Sequence, residues 1–417
     1  MFDGVVFILY RTFALPFVVK LVQLTSALWP EKIQTMIAER RILAYPALTS
    51  SPIWIHAASG EIEYAKPVIR QLKQLYPQTP ILVTYFSPSA KKLLQNFPGI
   101  DAIVPLPWDR VSDVQKFLTH YQPKVALFAR TDVWPEVAYQ LSLKKIPSAL
   151  FSATFSDNSR RRGLFSGPLN RWAFNHLSQI FCSSLEDQRN LESLGVKAPI
   201  QVQGDTRYDQ VQFRLQSRGN LRKELRPAVG SKVFVAGSTW PQDEAVLLEA
   251  LEQSIKDGWS WLWAPHEVSQ DHLCSLENKI SAKGFSCVRY SQAKSWQPSQ
   301  VLILDVVGIL AEIYTWGSVA FVGGSFKDKI HSVMEPLAAG LPVLVGPYHK
   351  NNREAIHFRK VILSPGLFAV SPVQDAKEIQ DRLRTLGAQN FRQALQAKIG
   401  ELSGAAQKMV TWVNGIT

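Results

Sequence analysis

From residue 52 onward, short apolar runs alternate with longer amphipathic stretches, and this alternation constrains the fold more than any other feature of the chain. Ile53-Trp54-Ile55, Ile81-Leu82-Val83, Ala102-Ile103-Val104, Val125-Ala126-Leu127-Phe128, Ala149-Leu150-Phe151 and Gln179-Ile180-Phe181 read as strands, with helical patterns between most of them. That is a βα repeat, hence a doubly wound parallel sheet. The pattern pauses at about Phe213 to Ser231, where Arg218-Gly219-Asn220 and Arg226-Pro227-Ala228-Val229-Gly230 are polar and turn-rich, as a linker is. It resumes with Val233-Phe234-Val235-Ala236, Trp261-Leu262-Trp263, Val301-Leu302-Ile303-Leu304, Val319-Ala320-Phe321-Val322 and Val343-Leu344-Val345. At 417 residues and 46% hydrophobic, the chain can fill two such cores. Two α/β domains facing each other would make a cleft, a preferred place for ligands. The expected division is residues 1–45, 46–215, 230–395 and a C-terminal helical segment 396–417.

The first thirty residues stand apart. Val5-Val6-Phe7-Ile8-Leu9-Tyr10, Phe13-Ala14-Leu15-Pro16-Phe17-Val18-Val19 and Leu21-Val22 are apolar, interrupted by Asp3, Arg11 and Lys20. No uncharged run reaches the roughly 18 residues a spanning helix requires, and no small-residue cleavage site follows. The reading is an interfacial anchor, with cations at the headgroups and Phe, Leu, Val and Trp29 at the acyl boundary. An apolar helix docked on the protein's own surface is the alternative. A net charge of +12 points to an anionic partner, whether nucleic acid, an acidic membrane or a phosphorylated substrate. Nucleic acid is disfavoured, because the basic residues are not interleaved with exposed aromatics in a recognisable module. Cys182, Cys274 and Cys287 lie far apart, which argues against a disulfide scaffold or a cysteine zinc site.

Several polar clusters follow strands, where open α/β sheets bind ligands. Gly323-Gly324-Ser325 ends one, followed by His331, Glu335-Pro336 and Gly340. The glycines allow close backbone approach, and a helix expected over 332–339 would aim its unpaired N–H groups at the same space. Gly237-Ser238-Thr239 could take a phosphate in the same way, Pro265-His266 ends another strand, and Glu335 could accept from a ribose diol. In the first half, Ser59-Gly60-Glu61 sits at a helix start, where Glu61 either complements the helix dipole or serves as a general base. Arg130 and Asp132 could contact an anionic sugar or pair with each other. Arg160-Arg161-Arg162 suits phosphate groups on an acceptor, or is a solvated surface run. The chain has no Gly-x-Gly-x-x-Gly turn and no P-loop, and no Asp-x-Asp pair or His/Cys cluster indicates a metal site.

In this order, Trp54-Ile55-His56-Ala57-Ala58-Ser59-Gly60-Glu61, Val133-Trp134-Pro135, Gly204-Asp205-Thr206-Arg207-Tyr208-Asp209, Ala236-Gly237-Ser238-Thr239, Ala264-Pro265-His266-Glu267, Gly323-Gly324-Ser325 with His331 and Glu335-Pro336, and Gly346-Pro347 with Asn351 or Asn352 and Glu354 resemble the bacterial 3-deoxy-D-manno-octulosonic acid (Kdo) transferases. The resemblance implies a GT-B fold, two Rossmann-like domains facing a cleft. It implies inverting transfer of Kdo from CMP-Kdo to a lipid A precursor at the cytoplasmic face of the inner membrane, without metal or cofactor. It makes residues 46–215 the acceptor half and 230–395 the nucleotide-sugar half. Glu61 becomes the catalytic base. Ser59, Gly60, Arg130, Asp132 and Arg160 to Arg162 become acceptor contacts, and Gly237, Ser238, Thr239, Pro265, His266, Gly323, Gly324, Ser325, His331 and Glu335 donor contacts. Three positions depart from the family pattern: Arg130-Thr131-Asp132 stands for Glu-Thr-Glu, His331-Ser332 for His-Asn, and Pro265-His266-Glu267 for Pro-Arg-His. Another GT-B enzyme using a UDP-sugar, or a membrane-bound paralogue without the activity, remains an alternative reading.

Overall fold

Every apolar run read as a strand from residue 53 onward is one, and these strands fall in two separate parallel sheets. The computed structural model describes residues 2–41, 44–95, 97–216 and 221–416. It divides into a first unit, Met1–Gln210 with Leu402–Thr417, and a second, Val211–Glu401. The Arg218-Gly219-Asn220 stretch of the expected linker lies outside the described residues.

The first sheet contains β1 (Ile53–His56), β2 (Ile81–Tyr85), β3 (Ala102–Pro105), β4 (Val125–Ala129), β5 (Ser148–Ala153), β6 (Gln179–Cys182) and β7 (Ile200–Val202), ordered β3-β2-β1-β4-β5-β6-β7. All of its pairings are parallel. Parallel strands need helical crossovers, and helices on both faces bury both sides of each strand. Alternate side chains therefore enter different cores. Trp54, Leu82 and Phe128 pack in one. Ile53, Ile55, Val83 and Leu127 pack in the other, together with Met409, Val410 and Val413 from the C-terminal helix Ala405–Asn414. Asp209 ties that helix down by accepting from the Gly404 N–H at 2.8 Å. The segment expected as 396–417 is thus two helices, of which the last belongs to the first unit and not to a body of its own.

In the second sheet, β8 (Lys232–Thr239), β9 (Trp259–Pro265), β10 (Cys287–Arg289), β11 (Val301–Ile303), β12 (Val319–Val322), β13 (Val343–Val345) and β16 (Val370–Pro372) run in the order β10-β11-β9-β8-β12-β13-β16. The intervening β14 (Ile362–Ser364) and β15 (Leu367–Phe368) form a small antiparallel pair. Each large sheet reverses the direction of winding once, between β1 and β4 and between β8 and β12. At such a switch point the loops leaving adjacent strands part to opposite faces and open a crevice at the strands' carboxyl ends. This topology brings Glu61 and Arg130 to one corner, and Ser238 and Gly323 to the other.

Phe2–Leu24 is one continuous 23-residue helix of mean hydropathy 2.0, long and apolar enough to cross a membrane by length and composition. It includes a π-helical turn at Tyr10–Ala14. One face docks on the first unit. Phe7 stacks on Trp172 with ring centroids 4.6 Å apart, and Asp3 pairs with Arg171. Tyr10 donates to Asp109 at 2.9 Å, and Arg11 lies 3.0 Å from the buried Glu136. Asp109 also accepts from the N–H groups of Glu136 and Val137, both at 3.0 Å, and so caps the helix Pro135–Leu143 from a distance in sequence. The opposite face leaves Phe2, Val5, Leu9, Phe13, Phe17, Leu21 and Leu24 exposed. Docking and an apolar outer face are therefore two sides of a single helix.

Candidate functional site

At the first corner, β1 ends and the chain turns through Ala57-Ala58-Ser59-Gly60 into the helix Ile62–Leu75, with Glu61 at its N-cap. The carboxylate folds back on its own turn: Oε2 accepts from the Ser59 N–H at 2.9 Å and lies 3.4 Å from the Ser59 hydroxyl. Oε1 accepts from none of the described residues. One oxygen fixes the group and the other remains available. That arrangement suits a base that must reach a substrate proton.

His56, the last residue of β1, is fully buried in a polar chain running to the same corner. The Trp54 indole donates to Thr84 Oγ1 at 2.8 Å, the His56 Nδ1 lies 2.8 Å from that hydroxyl, and its Nε2 lies 3.0 Å from Asp132. Trp134 Nε1 also donates to Asp132, at 3.3 Å. Burial pushes the Asp132 carboxyl upward, but the hydrogen bonds and charge of His56, the Trp134 indole and the Arg161 charge outweigh it and hold the group below its ordinary range. A carboxylate accepts only, so the His56 Nε2 bears a proton. Asp132 thus pairs with His56 and not with Arg130.

Arg130 follows β4 directly, in a left-handed conformation with φ +70°. For a residue with a side chain this costs on the order of 1–2 kcal/mol. Its N–H donates to the Phe151 carbonyl at 2.8 Å, which holds the backbone there. The guanidinium lies 5.2 Å from the centre of the Tyr64 ring, and Arg207 lies 5.9 Å from the same ring. Tyr64 stands in the first turn of the helix that Glu61 opens. The buried Arg130 Nε has no hydrogen-bond partner among the described residues. The cation run 160–162 splits three ways. Arg161 donates to the Thr131 carbonyl at 2.6 Å and so belongs to this corner. Arg162 reaches Asn190 and Ser193 instead, and Arg160 points to solvent.

At the second corner, the glycine turn is filled from within. Gly323 is required by close approach: a Cβ there would sit 2.2 Å from the Ser238 carbonyl oxygen. Gly324 has φ +81°, where a side chain would meet the Lys329 carbonyl. The Gly324 and Phe326 N–H groups donate to the Asp243 carboxyl at 2.7 and 2.9 Å, and the Trp240 N–H adds a third bond at 2.9 Å. Burial pushes Asp243 above its ordinary range, against the pull of these three N–H groups. The N–H groups expected to face a phosphate are thus held by a side chain of the protein. Ser325, also fully buried, donates to the Val322 carbonyl and accepts from the Gly346 N–H, both at 2.8 Å. The Thr239 hydroxyl is likewise inside, donating to the buried Glu244.

What faces outward at this corner is aromatic and cationic. Trp240 Nε1 donates to His331 Nε2 at 2.9 Å, and the two rings are nearly coplanar, 8° apart. His266, which follows Pro265 at the end of β9, stacks against both, at 4.5 and 4.4 Å. Burial, with the charges of His266, Lys329 and Lys327, pushes His331 down to about 4, as its acceptor role requires. The Lys327 ammonium sits 3.3 Å from the centre of the Trp240 ring. Glu335 opens the short helix Met334–Ala338 and lies 3.9 Å from Arg214. Ser238 adopts φ +54°, and Gly237 leaves room for the Tyr314 hydroxyl. Trp240, Asp243, Lys327 and Tyr64 were missed as site residues from the sequence. Asp243 carried a usable signal, since an acid three residues into a helix that follows a strand end is a capping pattern.

Two parallel seven-stranded sheets, each with polar groups at its switch point, define the GT-B fold. The fold has full-length counterparts: the UDP-GlcNAc 2-epimerase from Neisseria meningitidis bound to UDP-GlcNAc superposes with a TM-score of 0.62 at 14% identity, covering 87% of this chain and 99% of that one. Residues 29–210 match the family profile described as 3-deoxy-D-manno-octulosonic-acid transferase (kdotransferase). Along most of its length the chain is similar to proteins of that name: it is 28% identical over 340 residues to one from Haemophilus influenzae, covering 78% of this chain and 77% of the relative. Another, from Aquifex aeolicus, is 28% identical over 311 residues, covering 72% and 77%. Within that fold, the chain is thus similar over most of its length to proteins named as Kdo transferases.

Proposed function

We propose that the protein transfers Kdo from CMP-Kdo to a lipid A precursor with inversion at the anomeric carbon, and that Glu61 is the general base. The observation that carries this reading is the Glu61 carboxylate, fixed at a helix start through Oε2 with Oε1 unengaged among the described residues. Oε1 takes the proton of an acceptor hydroxyl as that oxygen attacks the anomeric carbon. The bond to the CMP phosphate breaks on the opposite face, and the electron pair leaves with CMP. No metal is invoked. Lys327 and the proton-bearing Nδ1 of neutral His331 compensate the charge that builds on the phosphate, with His266 beside the nucleotide and Glu335 on the ribose. Ser238 and the Gly237 and Gly323-Gly324-Ser325 backbone shape that pocket, while Ser59, Gly60, Arg130, Asp132 and Arg161 shape the acceptor's. The choice of Kdo as the transferred sugar is supported by the similarity to named Kdo transferases, and CMP-Kdo and lipid A follow from the motif resemblance. The bare face of the N-terminal helix supports work at a membrane surface, proposed as the cytoplasmic face of the inner membrane, where an acylated acceptor resides.

The test is Kdo transfer from CMP-Kdo to a lipid A precursor, measured for the unaltered protein and for Glu61→Gln. Turnover that collapses in the variant supports the assignment, and equal turnover removes Glu61 as base. Transfer from a UDP-sugar with none from CMP-Kdo overturns the donor assignment.

A further inference from the structure

We infer that Arg130 forms an oxyanion subsite at the first corner, one that grips a phosphate group of the acceptor and sets acceptor specificity. The inference rests on the acceptor role proposed for this half and adds the chemical group that is recognised. Four observations converge. Arg130 is held in a left-handed conformation, with its backbone locked to Phe151, at the end of β4 beside the Glu61 turn. Such conformations persist where surrounding structure imposes them, and they cluster at ligand sites. The guanidinium has no ion pair among the described residues, because Asp132, the acid two residues on, is taken by His56 and Trp134. Its Nε is buried and unpartnered, a costly condition that an external acceptor would relieve. Finally, Arg207 approaches the same Tyr64 ring, so two cations share one aromatic partner.

A bound oxyanion satisfies all four. Contact with the Tyr64 ring can leave the edge N–H groups of a guanidinium free, and these form a planar fork matched to two oxygens of a phosphate. Lysine at this position keeps the charge and loses the fork.

The test uses the full chain in detergent, with inorganic phosphate as the first probe. Calorimetry should show phosphate affinity falling roughly tenfold in Arg130→Gln and by less in Arg130→Lys, as expected for loss of a charge-assisted pair. Lys144→Gln, an exposed lysine, should leave it unchanged. In the transfer assay, the KM for a phosphorylated acceptor should rise roughly tenfold in Arg130→Gln with kcat retained, while a dephosphorylated acceptor shows no difference between the two proteins. Equal phosphate affinity in wild type and in an Arg130→Gln protein that melts normally overturns the subsite. A raised KM for the donor with that for the acceptor unchanged overturns its assignment to the acceptor. If Arg130→Gln does not fold, Arg130→Lys carries both readouts. The binding arm needs no turnover, so a chain without Kdo transfer that still binds phosphate through Arg130 separates failure of the enzyme reading from failure of this one.

Discussion

At the end of β12, the Gly324 and Phe326 N–H groups point at the Asp243 carboxyl. At the end of β1, by contrast, among the described residues Glu61 accepts only from its own Ser59, and beside it the Arg130 Nε has no acceptor. Both corners are switch points of parallel sheets, yet one satisfies its backbone donors internally and the other keeps charged groups in reserve. A glycine turn at a strand end is therefore not by itself an anion site. Its N–H groups go to the acceptor that packing supplies, here a carboxyl three residues into the helix that follows the neighbouring strand β8. The chemistry of the second corner falls instead to the side chains around it, Trp240, His266, His331 and Lys327.

Exchanging one carboxyl at each corner breaks this comparison most sharply. Glu61→Gln should lower kcat about 10²–10⁴-fold while leaving the melting temperature near its original value, because the group is not part of a core. Asp243→Ala should do the reverse. It strands three backbone N–H groups and should cost on the order of 3 kcal/mol of second-unit stability, read by denaturant titration. A second-unit stability unaffected by Asp243→Ala would mean that the glycine turn holds itself, leaving its N–H groups open to a ligand after all.

A smaller effect separates the units by pH. Burial, with the charge of Glu136, outweighs the N–H and Tyr10 hydrogen bonds and pushes Asp109 from its ordinary 3.8 up to about 7. The native state then holds a proton that the unfolded state releases, so this stabilisation is present below about pH 4 and is lost as pH rises towards 7. Asp109→Asn should flatten that slope, by about 1–2 kcal/mol over the window, since the three donors around the group relax with it. His331 has the opposite sign. Its native value of about 4 lies below the ordinary 6.5, so its contribution is present above pH 6.5 and lost as pH falls towards 4. His331→Gln should remove that loss, roughly 1 kcal/mol after discounting for partial exposure. Both are read as wild-type minus variant denaturation midpoints, and slopes of the same sign for the two variants would contradict the contrast drawn between the units.

The central strands were legible in the sequence because a strand buried on both faces must be a continuous apolar run, as Val125 to Phe128 and Val319 to Val322 are. The edge strands β7, β10 and β16 were not: each has three residues, and the exposed Gln201 and part-exposed Arg289 break the run. The expected helix over 332–339 shortens to Met334–Ala338, with Gly340 at φ +83° just beyond its end. At the candidate site, the sequence marked which turns bear polar groups. It did not mark which of those groups are spent, because the partner of Asp132 lies 76 residues away and that of the Gly324 N–H 81 residues away.

The sequence by itself determined two βα-repeating halves, polar turns after their strands and an apolar N-terminus, because burial and helix or strand periodicity are written locally along the chain. Only the tertiary structure decided that Asp243 fills the glycine turn, that the last helix returns to the first unit, and that Arg130 stands over Tyr64 with no ion pair among the described residues. Hydrogen-bond capacity is limited, and which acceptor claims a given donor depends on distances that the parallel sheet sets between residues far apart in sequence.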